Sequence, residues 1–160
     1  MGLLRKLFGF DEPTVQTRVM LVETGIADEP LDTKDLYEVG VVGESYRQDA
    51  LARLAGPKGP HGKQVRVEVT LRREPSNRHD RHAIRVEAHG QHVGYVPKDD
   101  ATWMAAGLDS LGGVAEGHGI IVGGWRDGDS EGNYGIRVWV EPRVAEQLGI
   151  RLRPQHRGAP

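Results

Sequence analysis

The sequence contains no cysteine, so disulfides and thiolate metal sites are excluded outright. That absence fits a reducing cytoplasm, the compartment we expect. No apolar run approaches the roughly 20 residues of a membrane-spanning helix, so no span is expected. Net charge is also scarce, at −2 over 160 residues. A general duplex-coating protein neutralises many phosphates and is strongly basic, so that class is disfavoured. There is no Gly-x-x-x-x-Gly-Lys phosphate loop, which excludes ATPase activity of that type.

The first ten residues, Met1 to Phe10, are too short for the apolar region of a signal peptide and carry no cleavage site. Lys6 stands where a myristoylation signal requires Ser or Thr. Leu3, Leu4, Leu7 and Phe8 share a helical face, so this start either packs on its own domain or docks on a partner or membrane surface.

What is present fits one compact domain with extensions: 38% hydrophobic residues suffice for a single core, and 22 glycines with 9 prolines imply many turns. Charge is unevenly spread. Asp11 to Glu38 holds eight acids and two bases, whereas Lys63 to Lys98 holds eight bases and four acids. A local basic face on a globally acidic molecule is one reading, and an ordinary solvated surface is the other.

Val15 to Glu23 is rich in β-branched residues and reads as a strand, followed by an acidic loop. Leu36 to Val42 reads as a short strand, and Tyr46 to Leu54 as a helix stopped by Gly56-Pro57. Gln64 to Arg72 alternates strictly, with Val65, Val67, Val69 and Leu71 on one face, as in a half-buried antiparallel strand. Ala83 to Glu87 and Gln91 to Val96 form a hairpin about His89-Gly90. Asp99 or Asp100 caps a helix reaching about Leu111, with Trp103, Met104, Ala106 and Leu108 as its apolar positions. Strands at Gly119 to Trp125 and Tyr134 to Glu141 flank a turn-rich connection, and Pro142 to Leu148 is a last helical turn. The fold expected is mainly β within the α+β class: a small, partly open, OB-like β-barrel of five to six strands with one or two helices. Residues 1–35 form an extension, 36–141 the domain, and 142–160 a helical turn and flexible tail.

One window carries the identifying pattern. It begins with Gly43-Glu44-Ser45-Tyr46, continues through Val67 to Leu71 into Arg73-Glu74-Pro75-Ser76-Asn77-Arg78-His79-Asp80-Arg81-His82-Ala83-Ile84, and closes with Val93-Gly94-Tyr95-Val96-Pro97-Lys98. In combination and at this distance, these elements resemble the HIRAN domain family. That resemblance implies a modified oligonucleotide-binding barrel that binds single-stranded DNA by its 3′ end. It also implies a setting in DNA repair or replication, because relatives occur fused to helicase-like translocases and nucleases, or alone in bacterial proteins. A helicase or nuclease is accordingly an expected partner.

The resemblance also implies roles. Tyr46 matches the family's base-stacking tyrosine, Tyr95 falls where the family places another ring, and Tyr134 corresponds loosely to a late aromatic. Asp80 matches the acceptor of the terminal hydroxyl. A carboxylate there accepts from a free 3′-OH and repels a 3′-phosphate. Asn77 adds a polar contact, and Lys98 matches a phosphate-binding lysine. Two departures bear on affinity: His79 stands where the family often has a ring, and Ser45 where eukaryotic members carry a cation. Arg72, Arg73, Arg78 and Arg81 are candidates for a basic rim. The competing reading is structural, with the tyrosines in the core and Asn77 and Asp80 as turn formers.

Alternatives from other classes are a protein-interaction adaptor using the same barrel and a metal-dependent hydrolase built around His79 and Asp80, with His82 close by in the cluster His79, Asp80 and His82. Those three do not make a closed ligand set, so neither a metal nor another cofactor is expected, and the chain is read as a non-enzyme. The Gly-x-Gly fragments near Gly117 and Gly123 read as bends in a barrel wall.

Overall fold

The computed structural model describes residues 31–150. The strand expected at Val15 to Glu23, the amphipathic start and the tail from Arg151 lie outside the described residues. The elements run β1 (Tyr37–Val39), a 3₁₀ turn (Glu44–Arg47), α1 (Gln48–Ala55), β2 (Lys63–Arg73), β3 (Ile84–Ala88) and β4 (Gln91–Tyr95). They continue with α2 (Lys98–Ser110), β5 (Val114–Gly123), β6 (Arg126–Asp127), β7 (Ser130–Glu131), β8 (Tyr134–Val140) and α3 (Pro142–Gln147).

Six strands form one antiparallel sheet in the order β1-β8-β5-β2-β3-β4, and β6 with β7 form a separate two-stranded ribbon. The alternation read from β2 holds: Val67, Val69 and Leu71 are buried and face Ile121, Val138, Val86 and Leu51 in one core. His89 (φ 46°) and Gly90 (φ 77°) both adopt positive φ, as a two-residue hairpin turn of the right twist requires. The fold is therefore mainly β, with few helices, as the pattern indicated.

The sheet curls until its two edges almost meet. Three residues beyond β1, Val42 pairs with Tyr95 on the opposite edge strand, through Val42 N–H to Tyr95 O (2.8 Å) and Tyr95 N–H to Val42 O (2.9 Å). Gly94 makes this approach possible, because a Cβ there would strike the Val41 side chain and the Val42 carbonyl. A register shift in the β3–β4 pairing at Val86/Glu87 bends the sheet beside this seam. Beyond β1, the free edge of β8 is satisfied by side chains: Glu44 accepts from Ile136 N–H at 3.1 Å, and Gln48 both accepts from Tyr134 N–H and donates to its carbonyl at 2.8 Å. These side chains stand in for a strand, so the barrel is partly open and its opening is occupied by the 3₁₀ turn and α1.

Several boundaries differ from expectation. Neither Asp99 nor Asp100 caps α2; the N-cap position is Pro97, no side chain caps it, and the helix starts at Lys98. The buried positions of α2 are Ala101, Met104, Ala105 and Leu108, a helical stripe that leaves Trp103 and Ala106 on the solvent side. β5 begins at Val114 rather than Gly119 and ends before Trp125. Gly123 and Gly124, both at positive φ, end it as a bend, whereas Gly119 lies inside the strand because Val69 and Val67 leave no room for a Cβ. Among the described residues, no helix is long and apolar enough to cross a membrane.

Candidate nucleic-acid interface

Three segments meet at the seam. The 3₁₀ turn packs on β4 and β8. The loop between β2 and β3 reaches Tyr95 through Glu74, and Val96 N–H donates to Ile84 O at 2.9 Å, tying the approach to α2 against the end of that loop.

Tyr46 is 87% exposed on the 3₁₀ turn, with Ser45 exposed beside it. The turn is rigidly held from both sides: Tyr46 N–H donates to Gly43 O (3.1 Å), and the flanking Glu44 and Gln48 are the residues that clasp β8. An aromatic face so open on a fixed backbone suits stacking by an unpaired base.

The loop carrying Asn77, His79 and Asp80 is built by its own polar groups. Asn77 Oδ1 accepts from His79 N–H (2.9 Å) and Asp80 N–H (3.2 Å), while its Nδ2 donates to Glu74 Oε2 (2.7 Å). Both ends of the amide are thus engaged inside the loop. Arg73 pins the base of the loop, donating to the Arg81 and Ala83 carbonyls (3.2 and 3.0 Å) and to Asp109 (2.9 Å). That work removes Arg73 from the basic rim expected of it, since its side chain is only 8% exposed. Arg72 is exposed but paired with Glu87 at 3.2 Å; Arg78 and Arg81 are exposed.

His79 is exposed at the loop tip. Asp80 Oδ1 accepts from His82 N–H at 2.8 Å and lies 3.7 Å from His82 Nδ1, while Oδ2 has no hydrogen-bond partner among the described residues. One oxygen shapes the turn and the other is left for a donor, so the structural and functional readings of Asp80 are compatible. Among the described residues, no three His, Cys, Asp or Glu gather as a metal site.

Tyr95 is half-buried, donates its hydroxyl to Glu74 Oε2 at 2.9 Å and meets His92 edge to face at 4.6 Å. Burial, reinforced by the bond to Glu74, raises its pKa. Glu74 therefore links the loop to the ring at position 95. Its own pKa is lowered, first by the Asn77 amide and further by Tyr95 and Arg85, against partial burial. Sequence reasoning missed this residue, because its link to the Tyr95 hydroxyl, 21 positions away, exists only in the fold. Lys98 stands exposed in the first turn of α2, where the helix dipole disfavours a cation and Asp99 and Asp100 offset it.

Tyr134 corrects the expectation. It is 4% exposed, its hydroxyl donates to Gly56 O at 2.6 Å, and burial raises its pKa. A ring sealed in the core offers no face to a base. An exposed aromatic does occur nearby in sequence, at Trp125, which is 41% exposed and hydrogen-bonds through its carbonyl to Gly132 N–H at the base of the β6–β7 ribbon. The ribbon leads directly into Tyr134, which Gln48 clasps, so Trp125 and Tyr46 belong to the same end of β8.

A family model described as the HIRAN domain matches residues 34–141. Among solved structures, the crystal structure of the HIRAN domain of human HLTF is similar at 21% identity, covering 72% of this chain and 87% of that one, with a TM-score of 0.34. No curated protein matches the chain.

Proposed function

Because the chain belongs to the HIRAN domain family, whose domains bind DNA, we propose that this one takes a single strand of DNA at its 3′ end. The observation that carries the reading is the ring of Tyr46, 87% exposed on a turn fixed at the barrel seam. The reading is supported by Asp80, one of whose carboxylate oxygens has no hydrogen-bond partner among the described residues and suits the terminal hydroxyl, and by the exposed ammonium of Lys98, which suits a phosphate. Asn77 acts through the loop it builds rather than by touching a base. The protein works in this reading as a binding module that positions a repair or replication activity, and not as an enzyme.

Fluorescence anisotropy of labelled strands with 3′-OH, 3′-phosphate and blunt duplex ends tests it. The 3′-OH single strand binds tightest, and replacing Asp80 by Asn narrows its advantage over the phosphorylated end. Equal affinity for 3′-OH and 3′-phosphate strands would remove the role of Asp80. No binding to any of them at low salt would overturn the reading.

A further inference from the structure

Arg47 is a cation without a local use. It ends the 3₁₀ turn that presents Tyr46, it is half-buried, and it makes no hydrogen bond or ion pair with any described residue. Partial burial strips water from a guanidinium, and no carboxylate among the described residues pairs with it to offset that loss. Its basic neighbours are differently placed. Arg85 Nε sits 3.0 Å from Glu87 Oε1, off the line of a hydrogen bond, and Arg85 Nη1 lies 3.8 Å from Glu74. Arg72 shares the same Glu87. Arg47 is close enough to His92 and Tyr95 to act on both electrostatically, as Arg85 and, with opposite sign, Glu74 do, so its guanidinium lies on the Tyr95 side of the turn that presents Tyr46. The guanidiniums of Arg47, Arg72 and Arg85 share this region with the carboxylates of Glu44, Glu74 and Glu87; Glu44 is engaged by Ile136 N–H, and Glu74 and Glu87 lie against Arg85 and Arg72. Ser45, in the same turn, adds no charge.

The placement also fixes what anion suits it. A 3₁₀ turn rotates successive side chains by about 120°, so a ring at 46 and a cation at 47 diverge from a common base. In a nucleotide, base and phosphate likewise diverge from the sugar. We propose that Arg47 binds the phosphodiester of the nucleotide whose base lies on Tyr46, directing the strand across the Val42–Tyr95 seam. This rests on the single-strand reading above.

The test measures the affinity of the full chain for a 3′-OH single strand over a salt series, for wild type, Arg47→Gln and Arg47→Lys. Arg47→Gln weakens binding about tenfold at low salt and flattens the log–log salt slope by about 0.7, the value of one lost phosphate contact on single strands. Arg47→Lys keeps the slope. Strands carrying one neutral methylphosphonate linkage give the second readout: at one linkage position wild type falls to the affinity of Arg47→Gln, and Arg47→Gln is insensitive to that same replacement. Wild-type binding with an unchanged salt slope in Arg47→Gln would overturn this inference alone, as would a loss of affinity that no methylphosphonate position reproduces. Absence of wild-type binding to every strand would overturn the single-strand reading and this inference with it. Thermal melts show that each variant is folded.

Discussion

Tyr46 and Tyr134 respond oppositely to substitution. Tyr46→Ala removes a ring that touches solvent, so it should cost about 1–3 kcal/mol of DNA affinity and leave the melting temperature unchanged. Tyr134→Phe removes the buried bond to Gly56 O, so it should cost about 1 kcal/mol of stability and leave the affinity of the folded protein unchanged. Anisotropy and thermal melts read the two effects separately. Glu74 adds a pH signature. A carboxylate whose folded pKa is lowered stabilises the fold above the ordinary glutamate value of about 4.3, and that contribution disappears as pH falls through the lower folded value. Wild type should therefore lose thermal stability faster than Glu74→Gln as pH falls below about 4.3, and parallel decline would contradict the role given to Glu74. At this scale the sequence was half legible. Tyr134 shares parity with Ile136, Val138 and Val140, so the strand pattern favours the core reading of this ring, given above as the competing one, over its loose correspondence to a stacking aromatic. Glu74 and Arg47 escaped because charged residues acquire meaning only from what the fold brings beside them.

The element on which the site depends is the seam between the chain after β1 and β4. Gly94→Ala places a methyl against Val41 and the Val42 carbonyl, so it should destabilise the fold by about 1–3 kcal/mol, read by thermal melts, and weaken DNA binding through displacement of the neighbouring 3₁₀ turn. Normal stability and normal binding in that variant would mean that the seam does not set the site. The strands with strict alternation or a tight turn between them, β2, β3 and β4, were legible because period-two burial and positive-φ turn residues are local signals. The first half of β5 was not. Gly117 and Gly119 interrupt its pattern, and the reason for them, the Trp139 carbonyl and the Val69 and Val67 side chains, lies on other strands. The start of α2 was misplaced for a similar reason: Asp99 and Asp100 have cap chemistry, but Pro97 already fixes the entry.

Across the whole molecule, a net charge of −2 argues against a long cationic track for many phosphates. Binding should saturate at a length of a few nucleotides, with little gain on extending a strand beyond about 16, the upper end of what one barrel of this kind holds. A titration series in strand length checks this; affinity rising steadily with length would indicate a wider electrostatic surface. The most direct test of the account is amide chemical-shift mapping of the full chain during titration with a short 3′-OH single strand. The account predicts that perturbations concentrate in Gly43–Arg47, Glu74–His82 and Gly94–Lys98, the three segments joined at the seam. Perturbations confined to the outer face of the sheet around Glu68, His118 and Arg137, with those segments unmoved, would contradict it.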